Sequence, residues 1–236
     1  MKISIRPAPH SKSCAIDGRK SCDLYQNHQE KCAEMCTDAM CCEMKHCWKI
    51  GEALEKELLA RGHTVYMADK KYRKRWPESK AAQSTRNAMA ELNRHAPDLH
   101  LAIHTNANGN KNVRGIQAMY PAAKHGERAR KSQRLCEAII AALAPIYDAK
   151  LSTREYVAIE TASCPGTGCY LELGYGNTSI EDARFVHEHP QEIAVAIADG
   201  MEAWWLSEGG SLPKTHPTKN LEERVQALEA WRATFP

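Results

Sequence analysis

The sequence predicts an α/β fold: a single three-layer domain with a mostly parallel, about six-stranded sheet flanked by helices, plus a short C-terminal helical tail. Three observations lead there. Short apolar runs alternate with stretches of helical periodicity, the pattern of a parallel sheet covered on both faces. Two of those runs end in a reactive side chain followed by turn residues: Leu99-His100-Leu101-Ala102-Ile103-His104-Thr105-Asn106 and Cys169-Tyr170-Leu171-Glu172-Leu173-Gly174. Open α/β sheets bind their ligands at such strand ends. No run approaches the ~18 apolar residues of a membrane span.

Taken in order, strands are expected at 3–6, 64–68, 100–105, 115–120, 156–159 and 168–173. Cys47, Ile50, Leu54 and Leu58 share one helical face, and Arg61-Gly62 stops that helix. Further helices are expected at about 79–94, ending before Pro97, and at 126–143, 179–188 and 190–206. Trp204 and Trp205 close the last of these and read as core residues. From 207 to 220 the chain carries Gly209-Gly210, Pro213 and Pro217 and reads as a linker. Beyond it, Leu221, Val225 and Leu228 mark a short amphipathic helix over 221–236. So short a helix does not stand alone. It docks on its own domain, pairs with another copy, or begins a further module.

The bulk numbers exclude some classes. A net charge of +3 over 236 residues is mild and does not argue for nucleic acid. The basic stretch Lys70-Lys71-Tyr72-Arg73-Lys74-Arg75-Trp76 is a solvated loop or a dock for an anionic polymer. The start, Met1-Lys2-Ile3-Ser4-Ile5-Arg6-Pro7, reads as a strand and lacks the apolar region of a signal peptide, so synthesis in the cytoplasm is expected. Of ten cysteines, seven lie between Cys14 and Cys47, without a clean pair of CxxC knuckles. Mostly reduced thiols are expected, with Cys36, Cys47 and Cys136 buried on helices. A disulfide within 14–42 stays open.

The strand ends suggest a metal site. Catalytic zinc takes three protein ligands and keeps a water in the fourth position. His10 follows the first strand, His104 ends the third, and Glu43 stands at the start of the first long helix. Two His and one Glu suit zinc, with Glu172 beside them as acid and base. Read singly, His10 is a surface residue and Glu172 a buried ion-pair partner; their common placement at strand ends argues otherwise. Glu34 and Glu30 compete with Glu43 for the ligand role, and His28 could face the site. His46, His63, His95, His100, His125, His187 and His189 default to the surface.

These residues resemble the zinc-dependent N-acetylmuramoyl-L-alanine amidases of the type-3 class, which includes endolysins and autolysins. The matches run in order: His10, Glu43 with Gly62 closing its helix, Ile103-His104-Thr105-Asn106, and Leu171-Glu172-Leu173-Gly174-Tyr175 with Asn177. Arg86-Asn87 through Asp98-Leu99, Arg114-Gly115 with Tyr120, Cys164-Pro165 and Glu181-Asp182 resemble the flanks. Pro9-His10-Ser11-Lys12 departs from the usual Gly-His-Gly-Gly.

The resemblance implies a catalytic domain at 1–206, with a Cys-rich insertion at about 14–42. It implies one Zn2+ per chain, held by His10, Glu43 and His104, with Glu172 as the catalytic acid/base. The implied substrate is peptidoglycan, cut between N-acetylmuramic acid and L-alanine. Arg114 and Asn106 are candidates for substrate binding, although Arg114 fits an ion pair and Asn106 a support for the His104 turn. The implied place of action is the cell wall, after release or holin-type export. The alternatives are a zinc peptidase or carboxypeptidase acting within the stem peptide, an inactive wall-binding module, or a redox or metal-storage role for the cysteines.

Overall fold

In a computed structural model, residues 1–8, 43–69, 78–106, 113–156, 158–175 and 179–213 are described. The chain forms β1 (Lys2–Pro7), α1 (Glu43–Ala60), β2 (Thr64–Met67), α2 (Glu78–Asn93), β3 (Leu99–His104) and β4 (Ile116–Tyr120). It continues through α3 (Glu127–Leu143), β5 (Leu151–Glu155), α4 (Ile159–Ser163), β6 (Thr167–Glu172), α5 (Ile180–Glu188) and α6 (Pro190–Ser207). The six strands make one sheet in the order β2-β1-β3-β6-β4-β5. β2, β1, β3 and β6 run parallel; β4 is antiparallel to β6 and parallel to β5.

Strand pleating sends alternate residues to opposite faces. On one face Ile3, Ile5, Leu99, Leu101, Ile103 and Leu171 meet Ile50, Leu54 and Leu58 of α1, Leu135 and Ile139 of α3, and Ile193 and Ile197 of α6. That layer is the apolar core. On the other face the register aligns Ser4 with His100 and His104 with Glu172. There Arg6, Tyr170 and Gln117 complete a polar surface, with α2 and α4 reaching it through Thr85 and Glu160. The two faces of one buried sheet therefore carry opposite chemistry.

Gly62 ends α1 as expected. It takes φ 81°, while its N–H donates to Leu59 O (2.9 Å) and the His63 N–H to Leu58 O (3.0 Å). This pair of bonds caps the last helical turn and needs the left-handed conformation that glycine adopts without strain. Trp48 Nε1 donates to Ala8 O at 3.0 Å, which ties the start of α1 to the end of β1.

Two expectations are corrected. The strand expected at 156–159 lies earlier, at Leu151–Glu155, and α4 begins at Ile159. The run Tyr156-Val157-Ala158-Ile159 has strand-like composition, but tertiary packing overrides it. Ile116 of β4 aligns with Leu151, and Thr161 of α4 fills the space over Gly168, 3.4–3.5 Å from where a Cβ would stand. Three histidines assigned to the surface by default are buried: His46, His63 and His100. Two of them have strong partners. His63 Nε2 is 2.8 Å from Glu202 Oε1, and His100 Nδ1 is 2.8 Å from Ser4 Oγ.

Cys47, Cys136 and Trp204 are buried, as expected. Residues 208–213 stay against the domain: Trp205 Nε1 donates to Ser211 O (3.0 Å) and Arg134 pairs with Glu208 (2.7 Å). The Cys-rich segment 14–42, the basic stretch 70–76, the rest of the linker and the helix expected at 221–236 lie outside the described residues. Among the described residues no helix is long and apolar enough to cross a membrane.

Candidate active site

His104 and Glu172 are register partners at the carboxyl ends of β3 and β6. Parallel pairing places both on the polar face. The ladder continues past them: Leu173 N–H donates to His104 O (2.8 Å) and Asn106 N–H to Gly174 O (2.7 Å). Gly174 turns the chain at φ 84°, and a Cβ there would lie 2.8 Å from Asp182 Cβ. The fully buried Asp182 locks this turn. Its carboxylate accepts from Tyr175 N (2.8 Å), Gly115 N (3.1 Å), Tyr147 OH (2.9 Å) and Arg114 Nε (3.1 Å). Ser179 Oγ accepts from Asp182 N at 3.1 Å and caps α5. The strand end that presents Glu172 is thus held by a charge-assisted hub.

The His104 ring stands between two carboxylates. Its Nδ1 lies 3.1 Å from Glu43 Oε1, and its Nε2 lies 3.6 Å from Glu160 Oε1. Glu43 Oε1 also accepts from the Thr105 N–H at 3.2 Å. Glu160 in turn takes Arg6 Nη1 at 2.6 Å, and Arg6 Nη2 donates to Thr85 Oγ1 at 2.8 Å. Tyr170 stacks on His104, ring centroids 4.4 Å apart at 16°.

The charges are strongly coupled. Burial opposes the His104 cation, but Glu160 and Glu43 outweigh it and raise its pKa to about 9. Burial likewise opposes a charged Glu160, yet His104 and Arg6 pull it down to about 2. Burial, reinforced by the charges of Glu172, Glu160 and Glu43, pushes the Tyr170 hydroxyl well up, so it keeps its proton.

A sequence model described as N-acetylmuramoyl-L-alanine amidase matches residues 28–203. The chain belongs to the N-acetylmuramoyl-L-alanine amidase family. The matched span includes Glu43, His104 and Glu172; His10 precedes it. Solved amidases share the fold. The N-acetylmuramoyl-L-alanine amidase AmiC2 of Nostoc punctiforme is 16% identical, with 87% of this chain and 97% of that one covered at a TM-score of 0.62. The amidase Ami1 from Mycobacterium smegmatis is 18% identical, with 88% and 97% covered at 0.60. The catalytic domain of the CD27L endolysin, which targets Clostridia Difficile, is 16% identical, with 86% and 97% covered at 0.60. No curated protein sequence matches the chain.

The donor set of this family member can be tested against zinc. Two ligand atoms about 2.0–2.1 Å from one tetrahedral zinc lie roughly 3.3 Å apart. Glu43 Oε1 and His104 Nδ1, 3.1 Å apart, fit that spacing. Among the described residues no group of three or more His, Cys, Asp or Glu is arranged to hold a metal. His10 lies outside them; two residues before it, the Ala8 N–H donates to Ile103 O at 2.8 Å, beside the strand end that carries His104. Glu34, Glu30 and His28 also lie outside.

The substrate-binding candidates have structural duties here. Arg114 bonds Asp182 and, at 2.9 Å, Asp148. Asn106 Nδ2 donates to Gln117 Oε1 at 3.1 Å and so braces the turn after His104. Four contributors escaped the sequence reading: Arg6, Glu160, Tyr170 and the hub role of Asp182. The signal for Arg6 was present. Ile3-Ser4-Ile5-Arg6 and Leu99-His100-Leu101-Ala102-Ile103-His104 alternate apolar with polar, which marks one polar face.

Proposed function

We propose that the chain is a peptidoglycan hydrolase that cuts the amide between N-acetylmuramic acid and the L-alanine of the stem peptide. Its metal is zinc, held by Glu43, His104 and His10. Family membership supports the amidase activity. The observation that carries the site assignment is the pairing of His104 with Glu172 across two strand ends, with Glu43 against the His104 ring. Bound there, zinc would supply a nucleophilic water at neutral pH and polarise the scissile carbonyl.

The protein's own groups do the proton work. A Glu172 carboxylate oxygen takes a proton from the attacking water as the new C–O bond forms. It returns a proton to the alanine nitrogen as the C–N bond breaks. The products are a lactyl carboxylate and a free N-terminal amine. The Gly174 turn and the Asp182 hub fix Glu172 relative to His104, which such transfers require. Tyr170, protonated, offers a hydroxyl donor beside the carboxylates.

Action on the wall after release or export, and self-association through 221–236, belong to the same proposal. Mass spectrometry of purified walls digested by the protein tests the bond assignment. Free stem peptides beginning with alanine, and glycan chains left intact, are the expected products. Fragments cut inside the stem peptide point to a peptidase instead. No release of either kind leaves only a wall-binding role.

A further inference from the structure

Among the described residues only Leu59 and Tyr156 are large apolar side chains left exposed, Tyr156 by 42%. A single exposed side chain of this kind needs no explanation. Leu59 stands alone on α1, but the surroundings of Tyr156 set it apart. It lies just past the end of β5, where its backbone N–H donates to Tyr120 O at 2.9 Å and continues the ladder with β4. The register aligns Arg154 with Met119, and Met119 with Tyr170. Arg154 therefore shares the polar face of the sheet with Tyr170. Tyr156, two residues further along, returns to that face.

Three rings follow one another across it. The centroids of Tyr156 and Tyr170 are 5.9 Å apart at 53°, and those of Tyr170 and His104 are 4.4 Å apart at 16°. The outermost ring is open to water and the innermost belongs to the candidate active site. The Arg154 guanidinium stands 5.4 Å from the Tyr156 centroid, within the range of a cation–π contact. Its Nε donates to Met119 Sδ at 3.2 Å, and the residue as a whole is exposed. An aromatic surface and a set of N–H donors thus lead from solvent to the strand end that carries His104.

The chemistry of this pair selects its occupant. The face of an aromatic ring carries negative charge. A sugar ring is its complement: one side presents weakly positive C–H groups, and the rim carries oxygens that guanidinium N–H groups can bond. The substrate of the proposed reaction is a chain of such sugars, with the scissile amide attached to one of them. We propose that Tyr156, with Arg154 beside it, is a glycan-binding platform. Its ring stacks on an N-acetylated sugar of the wall glycan, next to the muramic acid whose lactyl amide reaches Glu172. The inference deepens the peptidoglycan reading above and rests on it.

Calorimetric titration of the full chain with peptide-free glycan chains tests the platform without any bond being cut. Tyr156→Ala is expected to weaken binding about tenfold. Tyr156→Trp should keep the affinity, and Arg154→Met should lower it by less than Tyr156→Ala. The bond to Tyr120 uses the backbone, so each variant should keep the urea midpoint of the wild type. In the wild type itself, the Tyr156 ring protons should shift in NMR spectra on adding glycan, while the methyl groups of Leu59 stay in place. The preference of the protein for glycan-linked stem peptides over N-acetylmuramoyl-peptide, as a ratio of kcat/KM, should fall about tenfold in Tyr156→Ala.

Wild-type glycan affinity in folded Tyr156→Ala overturns the platform. So do Tyr156 resonances that ignore the glycan, or a wild type that binds no glycan at all. A wild type that releases no free amines, yet binds glycan through Tyr156, overturns the hydrolase reading and leaves the platform in place.

Discussion

Two buried Arg–Glu–His chains stand at opposite ends of the same sheet. At the amino ends of the strands, Arg61 Nη1 meets Glu202 Oε2 at 2.7 Å, and Glu202 Oε1 meets His63 Nε2 at 2.8 Å. At the carboxyl ends, Arg6 meets Glu160 at 2.6 Å, and Glu160 faces His104 at 3.6 Å. The residue types are the same, but the surroundings differ. Arg61 also takes Glu57 and Asp199, so acid surrounds a single cation and ties α1 to α6. Among the described residues Arg6 pairs with one carboxylate, which faces a ring that also meets Glu43. The first network runs on from His63 Nδ1 to the Met1 amino group at 3.4 Å, at the amino edge of the sheet. The second ends at a residue aligned with Glu172, at the edge where such sheets bind ligands. The same residue types thus occupy two positions on the sheet, and only the second lies beside Glu172.

The contrast can be broken most sharply at the histidines. His104→Ala should drop zinc from about one per chain to a trace by elemental analysis, with loss of wall hydrolysis. His63→Ala should keep its zinc and lose stability instead. Equal zinc in the two variants would erase the distinction. Next in size is Arg61→Met, which removes the cation shared by Glu57, Asp199 and Glu202. Removing one partner of a buried pair costs about 3–5 kcal/mol, read as a lower midpoint in urea, with activity per folded molecule retained.

Asp182→Asn probes the hub below Glu172. Hydrogen bonds to a charged group are worth about 1.5–3 kcal/mol each, and the carboxamide keeps some of them, so a stability loss of about that size is expected. A drop in kcat should accompany it because the Gly174 turn loosens. An unchanged kcat would make Asp182 purely structural.

Another effect concerns pH. His100 lies fully buried on the polar face against Ser4, and burial lowers its pKa from 6.5 to about 3. Arg6 also disfavours its proton, while Glu160 favours it. Below pH 6.5 the unfolded chain binds a proton at His100 that the folded chain refuses. Its contribution to stability is therefore complete above pH 6.5 and falls as pH drops toward 3, by at most about 1.4 kcal/mol per pH unit. Urea melts of His100→Gln should show a shallower acid slope than the wild type. Parallel slopes would place the acid sensitivity elsewhere.

Much of this was legible in the sequence. The apolar periodicity of Cys47, Ile50, Leu54 and Leu58 and the stop at Gly62 gave α1, and the apolar runs gave five strands close to where they lie. His104 and Glu172 stood out because each ends an apolar run. What escaped depends on contacts between distant segments. Strand β5 reads as polar, Leu151-Ser152-Thr153-Arg154-Glu155, and only pairing with β4 makes it a strand. Glu160 lies in a run with strand-like composition and becomes significant only when α4 turns it toward Arg6, 154 residues away. His63 and His100 look like surface residues until Glu202 and Ser4 supply their partners.

The most direct test of the account is the release of free amines from purified walls by Glu172→Gln, with zinc content measured on the same sample. The account predicts wild-type zinc and a rate lower by about 10²–10⁴. Near-normal amine release by the zinc-loaded variant would contradict it.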